Sequence, residues 1–335
     1  MNYIKNKIIL FLYLLYIVPY TLYSDPLPSW NEGEVKQQII SFVSEVTNLS
    51  SLSYILPSER IAVFDHDGTL WCEKPLYIHI VAIMNRFTEL IEQNPKLIKR
   101  QPYKAIATKD PNYFPDLYDD ASFLVWEGQL VALPFGGMTL TDYAKWNELW
   151  LQTWRHPRFH VGYKELTYKP MLELIEYLKS HHFRIYIVTA DEAAFVRLFS
   201  QELYDIPPEN VLGSSVKLEF VIEEGEPQLL RSYQMRYLNN HSGKPRLIEQ
   251  TLGKRPVFAV GNSNGDLEML LYTGIQTTPS LVLLVHHTDE EREYAYNKNA
   301  KKVLDLFSEK NWPIINMKED WKAIFPPSSK EENSQ

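Results

Sequence analysis

Ile61-Ala62-Val63-Phe64-Asp65-His66-Asp67-Gly68-Thr69 is the stretch that decides the reading of this chain. Four apolar residues run without alternation, as in a strand buried on both faces of a parallel sheet. Asp65 and Asp67 follow at once, two residues apart in a turn that contains Gly68. A solvated turn also favours Asp and Gly, but it does not explain acids placed directly after a buried strand. An EF-hand loop is excluded, because that loop needs its glycine at the sixth position and Gly68 stands at the fourth.

Strands and helices alternate on both sides of this stretch. Upstream, Val35, Ile39, Phe42, Val43 and Val46 lie at helical spacing within Asn31–Ser51. Downstream, Pro170–Lys179 predicts a helix with proline in its first turn, and Arg184–Thr189 a strand. Asp191 is expected to cap the helix that runs on to Tyr204. Val216–Ile222 and Leu229–Tyr233, separated by Glu224-Gly225, predict a hairpin. Lys244–Leu252 is a helix stopped by Gly253, and Pro256–Val260 a strand followed by a helix over Asp266–Tyr272. Leu281–Val285 and Ile314–Met317 are short later strands. Such alternation implies an α/β fold: a doubly wound, Rossmann-like parallel sheet with helices on both faces.

Residues 76–169 break the pattern just after the first strand. They are rich in aromatics and proline, with helical segments such as Asp142–Trp154. That is too long for a strand-to-helix loop, so it is read as a mostly helical cap inserted over the sheet. The expected organisation is a leader over 1–24, a core over 25–75 and 170–326, the cap over 76–169 and a polar tail over 327–335. Lys5 and Lys7 precede an apolar run from Ile8 to Tyr20, and 1–24 holds no Asp or Glu. This resembles a signal peptide, and the run is shorter than the about 20 residues of a membrane span. The chain is therefore expected to be exported, to the periplasm or beyond; an uncleaved anchor is the alternative.

Composition excludes several classes. The 335 residues are 45% hydrophobic and 23% charged, too apolar for a disordered chain. A mean hydropathy of −0.28 excludes a chain built mostly of membrane spans. One cysteine, Cys72, excludes an intramolecular disulfide framework and a Cys-rich zinc module. A net charge of −8 argues against nucleic acid as a partner.

The polar residues cluster where strands end. Asp65 and Asp67 follow the first strand, Thr189 closes the second, and Asn262 and Asp266 follow a later one. Doubly wound sheets bind ligands outside those carboxyl ends. One carboxylate can serve as nucleophile while its neighbour handles protons. Carboxylates that close repel unless a cation intervenes, and oxygen donors without soft ligands favour Mg²⁺. Lys244 offers a point charge suited to phosphate oxygens.

Phe64–Thr69, Val188-Thr189, Lys244 and Gly261-Asn262-Ser263-Asn264-Gly265-Asp266 resemble, in family order, the four motifs of the haloacid dehalogenase-like hydrolase superfamily. The likeness covers most of residues 61–275. Leu70–Pro75, Ile206-Pro207-Pro208, Val285–Asp289 and Glu291–Tyr296 look like an exported bacterial subgroup related to phosphoserine phosphatase. The resemblance implies a phosphatase acting on a small phosphorylated metabolite through an aspartyl-phosphate. It makes Asp65 the nucleophile, Asp67 the acid and base, and Thr189 and Lys244 the phosphate holders. Mg²⁺ would sit on Asp65, Asp67 and Asp266, with Asn262 beside it. Glu73 would face the leaving group. Position 262 is Asn where much of the superfamily has Asp, and Ala190-Asp191 stands where phosphoserine phosphatase has glycines.

Other readings start from the same residues. The site could pass phosphate to a sugar as a phosphomutase, or bind a phosphorylated ligand without turnover. Dehalogenation needs no proton donor, so Asp67 speaks against it. Gly261-Asn262-Ser263-Asn264-Gly265 fits the G-x-S-x-G elbow of a serine hydrolase, but Asp266 and Glu268 lie in the elbow's own helix and cannot orient a histidine. His286-His287 suggests a supporting role, and Trp146, Trp150 and Trp154 a packing stripe.

Overall fold

The structure is a computed structural model that describes residues 25–110, 113 and 130–327. The leader, part of the expected cap and all but the first residue of the polar tail lie outside the described residues.

The strands are β1 (Ile61–Phe64), β2 (Arg184–Glu192), β3 (Val211–Glu223), β4 (Glu226–Tyr237), β5 (Phe258–Gly261), β6 (Leu281–His286) and β7 (Ile314–Asn316). They form one sheet in the order β4-β3-β2-β1-β5-β6-β7. All neighbours are parallel except β3 and β4, which pair as the expected hairpin. The chain winds outward from β1 to one edge and then returns to build the other. The carboxyl end of β1 is thus the switch point, where loops on either side diverge and leave a crevice.

Period-two geometry divides each central strand between two cores. Ala62 and Phe64 of β1 face one cluster with Ile185, Ile187, Phe258 and Val260. Helices α1 (Glu34–Thr47) and α5 (Lys169–Ser180) supply Ile39, Val43, Leu174 and Leu178 to that side. Ile61 and Val63 face the other cluster with Tyr186, Val188 and Ala259. There α8 (Gly243–Leu252) and α9 (Leu267–Gly274) add Ile248, Met269 and Leu270. Covering on both sides explains why these strands are apolar throughout. Gly253 ends α8 at φ 59°, the left-handed conformation that glycine takes without penalty. Among the described residues, no helix is long and apolar enough to cross a membrane.

Between β1 and β2 the described residues form α2 (Ile78–Gln93), α3 (Tyr103–Thr108) and α4 (Leu140–Thr153). Ile83 and Phe87 of α2 and Tyr143 of α4 build a third core, which Val216 of β3 joins. The aromatic stripe of α4 packs against the first core: Trp146 and Trp150 stack at 6.5 Å, and Trp154 follows at 6.0 Å.

One expectation is corrected here. Asp191 is not a helix cap, because β2 continues through it and pairs Glu192 with Ser214 of β3 after a register shift. Glu192 takes the cap position of α6 (Ala193–Val196) without its side chain capping the helix. The helix expected to run on to Tyr204 is in fact broken, with its second piece, α7, over Ser200–Tyr204.

A buried ion pair ties the hairpin to β2. Arg231 donates to both oxygens of Glu192, at 2.5 and 2.8 Å, and its guanidinium lies 3.7 Å over the Tyr143 ring of α4. Arg231→Met leaves Glu192 buried and unpaired, and should lower the unfolding free energy by about 3–5 kcal/mol in a urea titration. Adding Glu192→Leu should recover most of that loss.

Candidate active site

The site is built at the carboxyl end of β1. Asp65 is the first residue beyond the strand, and its backbone N–H donates to the Val260 carbonyl of β5 at 2.9 Å. The turn then needs glycine. Gly68 has φ 72°, and a Cβ there would stand 2.0 Å from the Asn262 side-chain amide. His287 braces the same turn, with Nε2 donating to the Gly68 carbonyl at 2.8 Å and Nδ1 lying 3.2 Å from Glu293 Oε2. That gives the His287 of the sequence a definite supporting place.

Four distant stretches meet there. Lys244, in the first turn of α8, has its Nζ 2.5 Å from Asp65 Oδ1 and 2.6 Å from Asp266 Oδ1. Thr189 and Lys244 line the same cleft as Asp65, Asp67, Glu73 and Asp191. Asp266 lies fully buried behind them, its Oδ2 accepting from the N–H groups of Asn262 and Ser263, each at 3.0 Å. Ser263 and Asp266 form a capping box. The Ser263 hydroxyl donates to Asp266 and accepts from the Gly265 N–H, so it serves the helix start. No histidine is among its partners, which removes the geometric basis of a serine nucleophile.

The electrostatics are those of acids crowded out of water. Burial, and next the charge of Asp266, hold the Asp65 carboxyl well above the usual carboxylate range, with Lys244 opposing. Burial works against the Lys244 ammonium, but Asp266 and Asp65 outweigh it and raise it. Burial, then the neighbouring Asp191, push Asp67 well up. Trp71 Nε1 donates to Asp67 Oδ1 at 2.6 Å, leaving Oδ2 for a proton.

Asp191 is the residue that sequence reasoning misplaced. Burial pushes it up to about 7. Its Oδ1 lies 3.1 Å from His79 Nδ1 on α2, a histidine that burial lowers to about 4. His66 is fully buried, lowered by burial to about 3, and hydrogen-bonds the Tyr204 hydroxyl through Nε2 at 3.1 Å. His79 carried no motif, and only the packing of α2 on the end of β2 reveals it.

The donor set fits a hard cation. Asp65, Asp266 and the Asp67 carbonyl offer oxygen and no sulfur or imidazole, with Asn262 beside them. Turned so that its nitrogen meets acceptors, the Asn262 amide donates to the Asp67 carbonyl at 3.1 Å and Asp65 Oδ2 at 3.2 Å. Protein N–H groups therefore satisfy the same oxygens that the family resemblance assigns to a metal. A second group, His66, Asp67 and Asp191, also offers ligand atoms within 4.8 Å of one another. Glu73 lines the cleft and has Lys74 Nζ 3.3 Å away.

A family model described as haloacid dehalogenase-like hydrolase matches residues 62–271. No curated protein matches the chain. Among solved structures, it is similar to a protein of unknown function from Anaerococcus prevotii, with TM-score 0.54 and 14% identity over 84% of this chain and 91% of that one. It is also similar to a protein of unknown function from Bordetella pertussis, with TM-score 0.50 and 11% identity over 77% and 99%. A phosphoserine phosphohydrolase-like protein from Francisella tularensis follows, with TM-score 0.39 and 16% identity over 74% and 99%. The first two likenesses speak to the fold.

The crowding has a stability consequence. A carboxyl raised on folding adds stability below its unfolded pKa and loses it as pH rises through the folded value. Asp65 is ionised at a cost to the fold at alkaline pH. In chelator at pH 8, Asp65→Asn should therefore unfold at higher urea than wild type. The gain should shrink as pH falls into the range where Asp65 is protonated in both states.

Proposed function

As a phosphate-ester hydrolase of the haloacid dehalogenase-like family, to which the chain belongs, this protein, we propose, releases phosphate from a small monoester through an aspartyl-phosphate on Asp65. One observation supports this above the rest: a buried lysine draws a strand-end aspartate into place beside a second aspartate whose carboxyl burial pushes well up.

Asp65 is held by Lys244 on Oδ1 and by Asn262 and Thr69 on Oδ2, and attacks phosphorus through a carboxylate oxygen as the ester P–O bond breaks. Asp67 gives its proton to the departing alkoxide and then takes one from the hydrolytic water. Thr189 Oγ1 accepts from the Asp191 N–H at 3.0 Å, so its own hydrogen is available to a phosphate oxygen. Lys244 offsets the charge gathered on those oxygens. Mg²⁺ would be held by Asp65, the Asp67 carbonyl and Asp266, with Asn262 beside it, and when bound it supplies further positive charge to the phosphate. The leaving group occupies the cleft between Asp67, Glu73 and the start of α2.

Phosphate release from an aryl phosphate tests the reading. Activity should fall to background in Asp65→Asn and in excess chelator. Thr189→Ala removes one donor to the phosphate and should cost about 10²–10³ in kcat. Ser263→Ala should stay within a few fold of wild type. A fully active Asp65→Asn variant would end the aspartyl-phosphate mechanism, and full activity in chelator would end the metal assignment.

A further inference from the structure

The hairpin of β3 and β4 carries an apolar strip that the chemistry of the cleft does not use. Beyond Val211, Leu212 and Ser214, which pair with β2, the strand neighbour of β3 among the described residues is β4, itself the edge of the sheet. On the arm so formed, Leu218, Phe220 and Ile222 alternate along one face, and the register sets Leu229 opposite Phe220 and Pro227 opposite Ile222. Phe220 and Ile222 are 67% and 68% exposed, Leu218 45% and Leu229 41%. A two-stranded hairpin is marginally stable in water unless its apolar face is covered.

The arm is also polarised along its length. At the tip Glu223 stands opposite Glu226, with Glu224 in the turn between them. Like charges directly across two strands are destabilising. At the base stand Lys217 and Arg236, both exposed. The strand from Lys217 to Glu224 spans about 20 Å, so base and tip of one arm cannot neutralise each other.

We propose that this arm is the interface of a homodimer: a second copy lays the same face on it, about a two-fold axis near Phe220, with the two arms antiparallel. The inference is independent of the phosphatase reading. A two-fold contact is self-complementary, and here it brings the acidic tip of each copy to Lys217 and Arg236 of the other. An anionic lipid surface would instead repel the tip. The area suffices as well. At roughly 200 Å² for a large side chain, Leu218, Phe220, Ile222 and Leu229 offer roughly 400 Å² on each copy. A groove of about 730 Å³, lined by Phe220, Pro227, Leu229 and residues 139–142 at the start of α4, receives the partner's Ile222 and Pro227. That extends the contact to the total of about 1,000 Å² that a specific interface needs.

Analytical ultracentrifugation of the purified full chain over a range of concentrations tests this. Wild type should sediment as a dimer that dissociates on dilution. Phe220→Lys and Ile222→Lys should each raise the dimer Kd about thirtyfold or more, with the far-ultraviolet circular dichroism unchanged. Lys217→Glu and Glu224→Lys should each raise it by up to about fivefold, and the two together should restore it. Restoration reports a contact between copies, because the two positions lie too far apart to meet within one arm. A wild-type chain that stays monomeric at every concentration would overturn the inference and leave the strip to a different protein. A dimer that survives both Phe220→Lys and Ile222→Lys would overturn it by placing the interface elsewhere. A charge exchange that fails to restore the dimer would overturn the antiparallel arrangement. If a lysine variant does not fold, wild-type sedimentation and the charge exchange still decide.

Discussion

Lys244 between Asp65 and Asp266 is the interaction on which the site depends. Two ionised carboxylates packed side by side out of water repel strongly unless a cation lies between them. The lysine reaches them from the first turn of α8, where its charge is unfavourable to the helix dipole. The attraction to both acids outweighs that local cost and the cost of burial. Everything around the cluster serves the same end. The N–H groups of Asn262 and Ser263 hold one side of Asp266, the Asn262 amide faces Asp65, and Gly68 leaves space for that amide.

The sheet supplies the rigidity that this crowding needs. Each central strand is clamped between two cores, so the ends of β1 and β5 are fixed relative to one another. Local acids and strained turns persist only where the surroundings over-determine them. The elements between β1 and β2 are tied on more lightly and more specifically. The third core joins them to β3. Arg231 bridges Glu192 and Tyr143, and His79 on α2 meets Asp191 at the end of β2. The last of these contacts brings the inserted helices to the edge of the chemistry.

The contrast between Asp65 and Asp191 shows how much was legible in advance. Asp65 follows an apolar run that can only be a covered strand, and the sheet rule then places it at a crevice. Asp191 has the same chemistry and lies two residues after a strand-end threonine, where an aspartate ordinarily caps a helix. What overrode that local preference was a register shift that carried β2 on to pair Glu192 with Ser214. Such a shift depends on β3, which lies beyond α6 and α7 in the chain, so no short-range pattern around residue 191 contains it.

By itself, the sequence determined the α/β class, the alternation of elements, the hairpin, and which acids, threonine and lysine stand at strand ends or helix starts. These follow from periodicity and end chemistry, which are local. Only the tertiary structure decided that Lys244 is shared between Asp65 and Asp266, that Asp191 faces the cleft, and that His79, His287 and Arg231 support it. Those are distances between side chains far apart in the chain. They are set by packing and by the exclusion of water, which no spacing along a single segment encodes.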